Sequence, residues 1–173
     1  MPTNLKRLTG QGDLHFITFC CYRRRPLLET AKARDFAVQI LAEVRAKYDF
    51  ALVGYVIMPE HVHILIDEKP AVVPAAVVQV FKQRVSRSLR GEQTEALEHT
   101  AGHTPNGKAE LHRFWQRRYY DFNVYTGKKL KEKLEYMHAN PVVEKLVTHP
   151  RHWPWSSWSF YATGEGLLKM DAI

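Results

Sequence analysis

Tyr55-Val56-Ile57-Met58-Pro59-Glu60-His61-Val62-His63-Ile64-Leu65-Ile66 decides how this chain is read. Two apolar, β-favouring runs, Ala51 to Ile57 and Val62 to Ile66, are broken only by Met58-Pro59-Glu60. So short a break predicts an antiparallel pair or one bent ribbon. Side chains alternate across a strand, so an extended His61-Val62-His63 puts both imidazoles on one face and Val62 on the other. Two imidazoles side by side on a stiff strand form half of a metal site. Two hydrogen-bonded histidines on a half-exposed strand fit the same residues.

Outward from this pair, Leu14 to Cys21 is rich in aromatic and β-favouring residues and reads as a strand stopped by Pro26. Ala31 to Tyr48 has helical spacing, with Phe36, Ile40 and Val44 on one stripe and Thr30 as N-cap. Val72 to Arg90 repeats that spacing through Val78, Phe81, Val85 and Leu89, and Gly91 is placed to end it. From 91 to 109 the periodicity vanishes, and a mobile loop is expected there. Phe114 to Tyr125 is aromatic-rich and expected to be extended. A last helix is expected from Lys128 to Ala139, ending near Asn140-Pro141. The order of the first six elements matches the split βαβ pattern. The expected fold is therefore α+β: a ferredoxin-like βαββαβ, mainly antiparallel sheet covered by two helices, with an additional C-terminal helix. One domain spans 1–173, with a tail at 1–12. The aromatic segment at 150–173, dense around Trp153-Pro154-Trp155-Ser156-Ser157-Trp158, is expected to pack on the domain and seal an edge.

A chain of 173 residues, 45% hydrophobic and 25% charged, suits one globular domain with a real core. No apolar run is long enough for a bilayer, and Met1 to Arg7 lacks the apolar stretch of a signal peptide. A cytoplasmic protein, with neither a membrane nor a small-molecule partner, is the expectation. Cys20 and Cys21 are adjacent, which leaves no disulfide framework and no cysteine zinc site. Any metal must take nitrogen and oxygen ligands.

The formal charge of +7 favours an anionic partner, most commonly nucleic acid. The basic groups come in clusters: Arg23 and Arg24 after the first strand; Arg84 and Arg87 in a helix; Arg117 and Arg118 beside Trp115; Lys129 and Lys133 in the last helix. Cations mixed with aromatics suit single strands, where bases stack and phosphates pair. A solvated face fits each cluster equally.

Tyr136 and Asn140 are four apart and share a helix face. If that face looks at His61 and His63, one site holds two imidazoles, an amide oxygen and a nucleophilic hydroxyl. Mg²⁺ or Mn²⁺ could complete its shell there and act as a Lewis acid on a phosphodiester. A nearby cation and lysines would favour the phenolate. Attack would give a phosphotyrosine that conserves the energy of the broken linkage, so a second strand can be joined without ATP. Tyr119 and Tyr120 are rival nucleophiles, of which at most one faces the histidines. His138 lies on another helix face and is not expected to be a ligand. A phosphohydrolase that uses water remains a third reading of the same groups.

At these residues the chain resembles the single-tyrosine His-hydrophobic-His insertion-sequence transposases, and most closely the REP-associated tyrosine transposases. The resemblance runs from Leu14 to about Tyr161. It is carried by Val56-Ile57-Met58-Pro59-Glu60-His61-Val62-His63-Ile64-Leu65, Phe114-Trp115-Gln116-Arg117-Arg118-Tyr119-Tyr120-Asp121, Tyr136-Met137-His138-Ala139-Asn140-Pro141-Val142 and Trp155-Ser156-Ser157. It implies a ferredoxin-like fold, His61 and His63 as metal ligands, and Tyr136 as the nucleophile. Asn140 stands where several relatives carry a glutamine ligand. The implied substrate is single-stranded DNA, often an imperfect hairpin beside a guide sequence, cut to a 5′-phosphotyrosine and a free 3′-hydroxyl. Asn4, Lys6 and Arg7 would reach the guide bases. A nucleoid-associated monomer or helix-exchanging homodimer is implied. A catalytically silent hairpin-binding protein is the alternative, since a domesticated copy can keep binding without chemistry.

Overall fold

The computed structural model describes residues 13–67, 73–98 and 113–172. The elements run β1 (Leu14–Cys20), α1 (Ala31–Tyr48), β2 (Leu52–Ile57), β3 (His61–Asp67), α2 (Pro74–Glu98), β4 (Tyr120–Val124), α3 (Gly127–Val143) and α4 (Trp158–Thr163). Short 3-10 turns lie at Tyr22–Arg24 and Pro150–His152. The sheet order is β2-β3-β1-β4, and every neighbouring pair is antiparallel. This is the expected split βαβ arrangement, with β3 and β1 in the centre.

The alternation along the strands sorts the side chains into two cores. Ile17, Phe19, Val62, Ile64, Tyr55 and Ile57 face α1 and α2. Phe16, Val56, Leu65 and Val124 face α3 with Met137 and Trp153. Each of these strands is covered on both sides, which explains the nearly unbroken apolar runs. Thr30 caps α1 by accepting from Ala33 N at 3.1 Å, and Asp49 ends it in the left-handed region. Thr126 caps α3 in the same way.

Three boundaries differ from expectation. Gly91 does not end α2, which runs to Glu98. Glycine costs about 1 kcal/mol in a helix without forbidding it, and Glu92-Gln93-Thr94-Glu95-Ala96-Leu97-Glu98 is mostly helix-favouring. The rest of the expected loop, 99–109, lies outside the described residues, as does the tail at 1–12. Pro141 does not end α3, which continues to Val143. Proline removes only its own N–H, and the last turn is secured by Glu144 N to Asn140 O at 2.9 Å and Leu146 N to Pro141 O at 2.9 Å. The fourth strand is shorter than expected. Phe114 to Tyr119 is irregular, joined to β1 by a single bridge between Cys21 and Trp115.

Gly54 sets how α3 meets the sheet. A register shift between Leu52 and Gly54 turns Gly54 towards α3, where a Cβ would lie 2.7 Å from Leu134 Cδ2 and from Met137 Cε. The missing side chain lets the helix approach closely.

The aromatic segment covers the outer edge of β2. Trp155 O accepts from Ile57 N, Ser157 N donates to Tyr55 O and Asp171 N donates to Leu52 O, each at 2.9 Å. Side chains complete the accounting: Asp171 accepts from Leu52 N, Trp153 donates to Ile57 O and Tyr161 to Val53 O. Arg34 of α1 packs over the rings of Trp153 and Trp155 at 4.7 and 3.9 Å. Among the described residues, no helix is long and apolar enough to cross a membrane.

Candidate active site

His61 and His63 do share a face of β3, and it is the face that α3 covers. Both are 3% exposed. Their Nε2 atoms lie 3.0 Å apart. Across the sheet, Thr18 stands directly opposite His63 and its Oγ1 is 2.7 Å from His63 Nδ1. Glu60 reaches back to His61 Nδ1 at 2.7 Å. Each ring therefore has its Nδ1 engaged outside the site and its Nε2 inside.

Burial, then the charges of His61, Lys133 and Arg24, hold His63 well below the ordinary histidine value. Its ring is neutral and keeps a lone pair at neutral pH. The hydrogen bond from His61 holds the Glu60 carboxyl below its usual value, against its burial.

α3 delivers the remaining groups. Asn140 is 6% exposed, and its Nδ2 is drawn 3.1 Å from His63 Nε2, with Oδ1 buried and unpartnered among the described residues. Rotating the amide half a turn puts Oδ1 against the ring nitrogen and removes the orphan. With Oδ1 inward, one oxygen and two nitrogens converge, and this donor set fits a divalent cation of the Mg²⁺ or Mn²⁺ class. One turn earlier, the Tyr136 ring lies edge-on to His63 with centroids 5.4 Å apart and edge-on to Phe16 at 6.1 Å. The residue is 53% exposed, so its phenol is open to a substrate. Phe16 stacks on the other side of His63 at 5.3 Å and fixes the ring between them.

Cations stand on two sides of this group. Lys133 Nζ sits over Phe16 and Phe122 at 4.9 and 4.8 Å. Arg24 Nη2 reaches Glu60 Oε1 at 3.2 Å from a turn in which Arg23 (φ 54°) and Arg24 (φ 53°) are both left-handed. Two such non-glycine residues cost about 1–2 kcal/mol each. Backbone bonds from Cys21 N to Glu60 O and from Leu28 N to Pro59 O, both 2.8 Å, hold the strained turn against the β2–β3 hairpin.

The other expected DNA-contacting residues divide. Lys129 is exposed on α3 and pairs with Glu132 at 2.7 Å. Arg117 and Arg118 are exposed beyond the 3-10 turn side of the sheet. Arg84 pairs with Glu43 of α1 and Arg87 is exposed, but both belong to α2, on the sheet face away from the histidines. Trp115 is core: it packs on Phe19, Phe81 and Phe114, and its Nε1 donates to Lys82 O at 2.9 Å. Asn4, Lys6 and Arg7 lie outside the described residues.

Of the rival tyrosines, Tyr120 stands opposite Thr18 on the histidine side but stacks on Phe122, and Tyr119 packs against the other core. His138 turns away from the site and bonds Ser157 Oγ at 2.9 Å, which ties α3 to the segment over β2. Thr18, Glu60 and Phe16 were not singled out from the sequence. Glu60 adjoins His61, and the alternation along β1 puts Phe16 and Thr18 on one face; only the pairing register shows that this face meets His63.

Burial, paired imidazoles and a facing helical tyrosine define a site of the kind found in tyrosine transposases. The IS200-like transposase profile matches residues 10–140, and the chain belongs to that family. A Haemophilus influenzae protein assigned as a REP-associated tyrosine transposase is 25% identical over 160 residues, 90% of this chain and 85% of the relative. A REP-associated tyrosine transposase solved bound to a REP hairpin superposes with a TM-score of 0.71 at 19% identity, over 99% of this chain and 92% of that one. The fold is thus that of the REP-associated tyrosine transposases.

Proposed function

We propose that this protein cuts and rejoins single-stranded DNA at hairpins, with Tyr136 as nucleophile and a divalent cation held by His61, His63 and Asn140. The observation that carries the reading is the convergence of Tyr136 and Asn140, one helical turn apart, on the buried His61–His63 pair. The bound cation would supply Lewis-acid stabilisation of charge on the phosphodiester. The chain's own residues do the rest. Glu60 and Thr18 orient the imidazoles. Phe16 and His63 hold the Tyr136 ring beside the site. Lys133 and Arg24 bracket it and attract the phosphates on either side.

In the first step the Tyr136 oxygen attacks phosphorus and the bond from phosphorus to the 3′ oxygen breaks. The phenol's proton is balanced by the one the released 3′-hydroxyl takes up. The 5′-phosphotyrosine is then attacked by a 3′-hydroxyl of another strand, and the tyrosine is regenerated. Tyr136 lies beside His63 of its own chain, so one protomer holds all the groups required. The hairpin substrate is supported by the hairpin bound to the structurally similar transposase, and such a substrate places the protein with the nucleoid.

The test is a labelled single-stranded hairpin incubated with Mn²⁺ and run on a denaturing gel. The wild type should give a covalent protein–DNA band, and Tyr136→Phe should give none while still binding the hairpin. A wild-type-level adduct in Tyr136→Phe would refute the nucleophile. Hairpin binding with no adduct from the wild type at any metal concentration would identify a silent binding protein instead.

A further inference from the structure

Glu60, His61, His63 and Thr18 form a line of polar groups, joined by contacts of 2.7, 3.0 and 2.7 Å. For two neutral rings, donor counting fixes the direction of the whole line. The Glu60 carboxylate only accepts, so His61 carries its hydrogen on Nδ1 and presents a bare Nε2. That lone pair needs a donor, and the group facing it is His63 Nε2, which must carry a hydrogen. His63 Nδ1 is then bare, and the Thr18 hydroxyl donates to it. Every contact has one donor and one acceptor. The Asn140 oxygen, turned inward, shares the same His63 N–H.

A metal-coordinating nitrogen carries no hydrogen, so the loaded site needs the opposite form of His63. Its hydrogen must sit on Nδ1, which then needs an acceptor. We infer that Thr18 is a positioning residue that lets His63 change between the two ring forms, by turning its hydroxyl from donor to acceptor as the cation binds. This rests on the metal centre proposed above. No proton is gained or lost overall: one leaves Nε2 and one arrives at Nδ1. A hydroxyl reverses direction by rotation about one bond, with no heavy atom displaced. Valine has nearly the same shape and fails in both states, because it leaves His63 Nδ1 unpartnered beside a ring that is 3% exposed. Thr18 is paired directly opposite His63 in the β1–β3 register, so the two cannot drift apart while the sheet is intact.

Two measurements on the full chain test this. In nitrogen-15 histidine spectra at about pH 8, the metal-free wild type should carry the His63 hydrogen on Nε2, and saturating Mg²⁺ should move it to Nδ1. A metal-free protein with that hydrogen already on Nδ1 would overturn the inference, and this readout needs no variant. In Mn²⁺ calorimetry, Thr18→Val should weaken binding about 10–100-fold and Thr18→Ser by no more than about threefold. If Thr18→Val binds like wild type while the His61→Ala and His63→Ala double variant does not bind, Thr18 has no such role and the metal centre stands. If wild type takes up no Mn²⁺ that the double variant loses, the centre fails and this inference with it.

Discussion

Gly54→Val tests whether the tyrosine helix owes its position to one absent side chain. A Cβ at residue 54 would lie 2.7 Å from Leu134 Cδ2 and from Met137 Cε. Apolar carbons prefer about 3.5–4.0 Å, so roughly 1 Å of overlap must be relieved on two sides. With alanine, both offending atoms are ends of flexible side chains and can swing aside at about 1 kcal/mol. Valine adds two more carbons in a space that Ser157 Oγ already bounds at 3.4 Å, so the helix itself must lift. The expected cost is about 2–3 kcal/mol, which lowers Tm by roughly 5–10 °C in a domain of this size. Met137 neighbours Tyr136, and a phenol displaced by about 1 Å should lose about a hundredfold in rate. Urea unfolding and the initial rate of covalent adduct formation are to be measured on the same preparations. Both should fall in the order wild type, Gly54→Ala, Gly54→Val. A Gly54→Val protein with wild-type midpoint and adduct rate would show that α3 does not rest on this glycine.

Burial lowers His138 to about 4, below the ordinary histidine value. The unfolded chain therefore takes up a proton as pH falls through about 6.5 while the folded chain does not. Stability should drop between about pH 6.5 and 4, by at most about 3 kcal/mol. His138→Gln should flatten that slope in urea unfolding, and an unchanged slope would exclude His138 as its source. Trp115→Ala should cost about 3–5 kcal/mol of stability because the ring is core; normal stability with selective loss of hairpin binding would show that the ring stacks on bases instead. Lys133→Ala should weaken hairpin binding and reduce the slope of log K against log salt by about 0.7; an unchanged slope in a binding titration series would remove Lys133 from the DNA path.

The period of two along β3 made the His61–His63 face legible, and the spacing of four made Tyr136 and Asn140 one helical face. Neither pattern says which sheet face the last helix covers. That depends on the bulge before Gly54 and on contacts between β2 and residues more than a hundred positions later, where local sequence carries no signal. Trp115 was misread for a related reason. Its arginine neighbours suggested a nucleic-acid surface, but a bridge to Cys21 turns the ring under α2. Gly91 and Pro141 carry helix-stop signals worth a few kcal/mol at most, and flanking propensity and packing override them. Thr18 and Glu60 bond the histidines across a turn and across a strand pair, and only the register reveals the first of these.

The cover over β2 leaves the ribosome after everything it covers. Until Trp153 to Asp171 have been synthesised, Leu52, Tyr55 and Ile57 offer bare amides and carbonyls along one margin of an otherwise complete sheet. An uncovered margin of this kind templates pairing with other chains. Prematurely terminated products of this gene should therefore accumulate as aggregates, and loss of the distal segment would be seen first as insolubility.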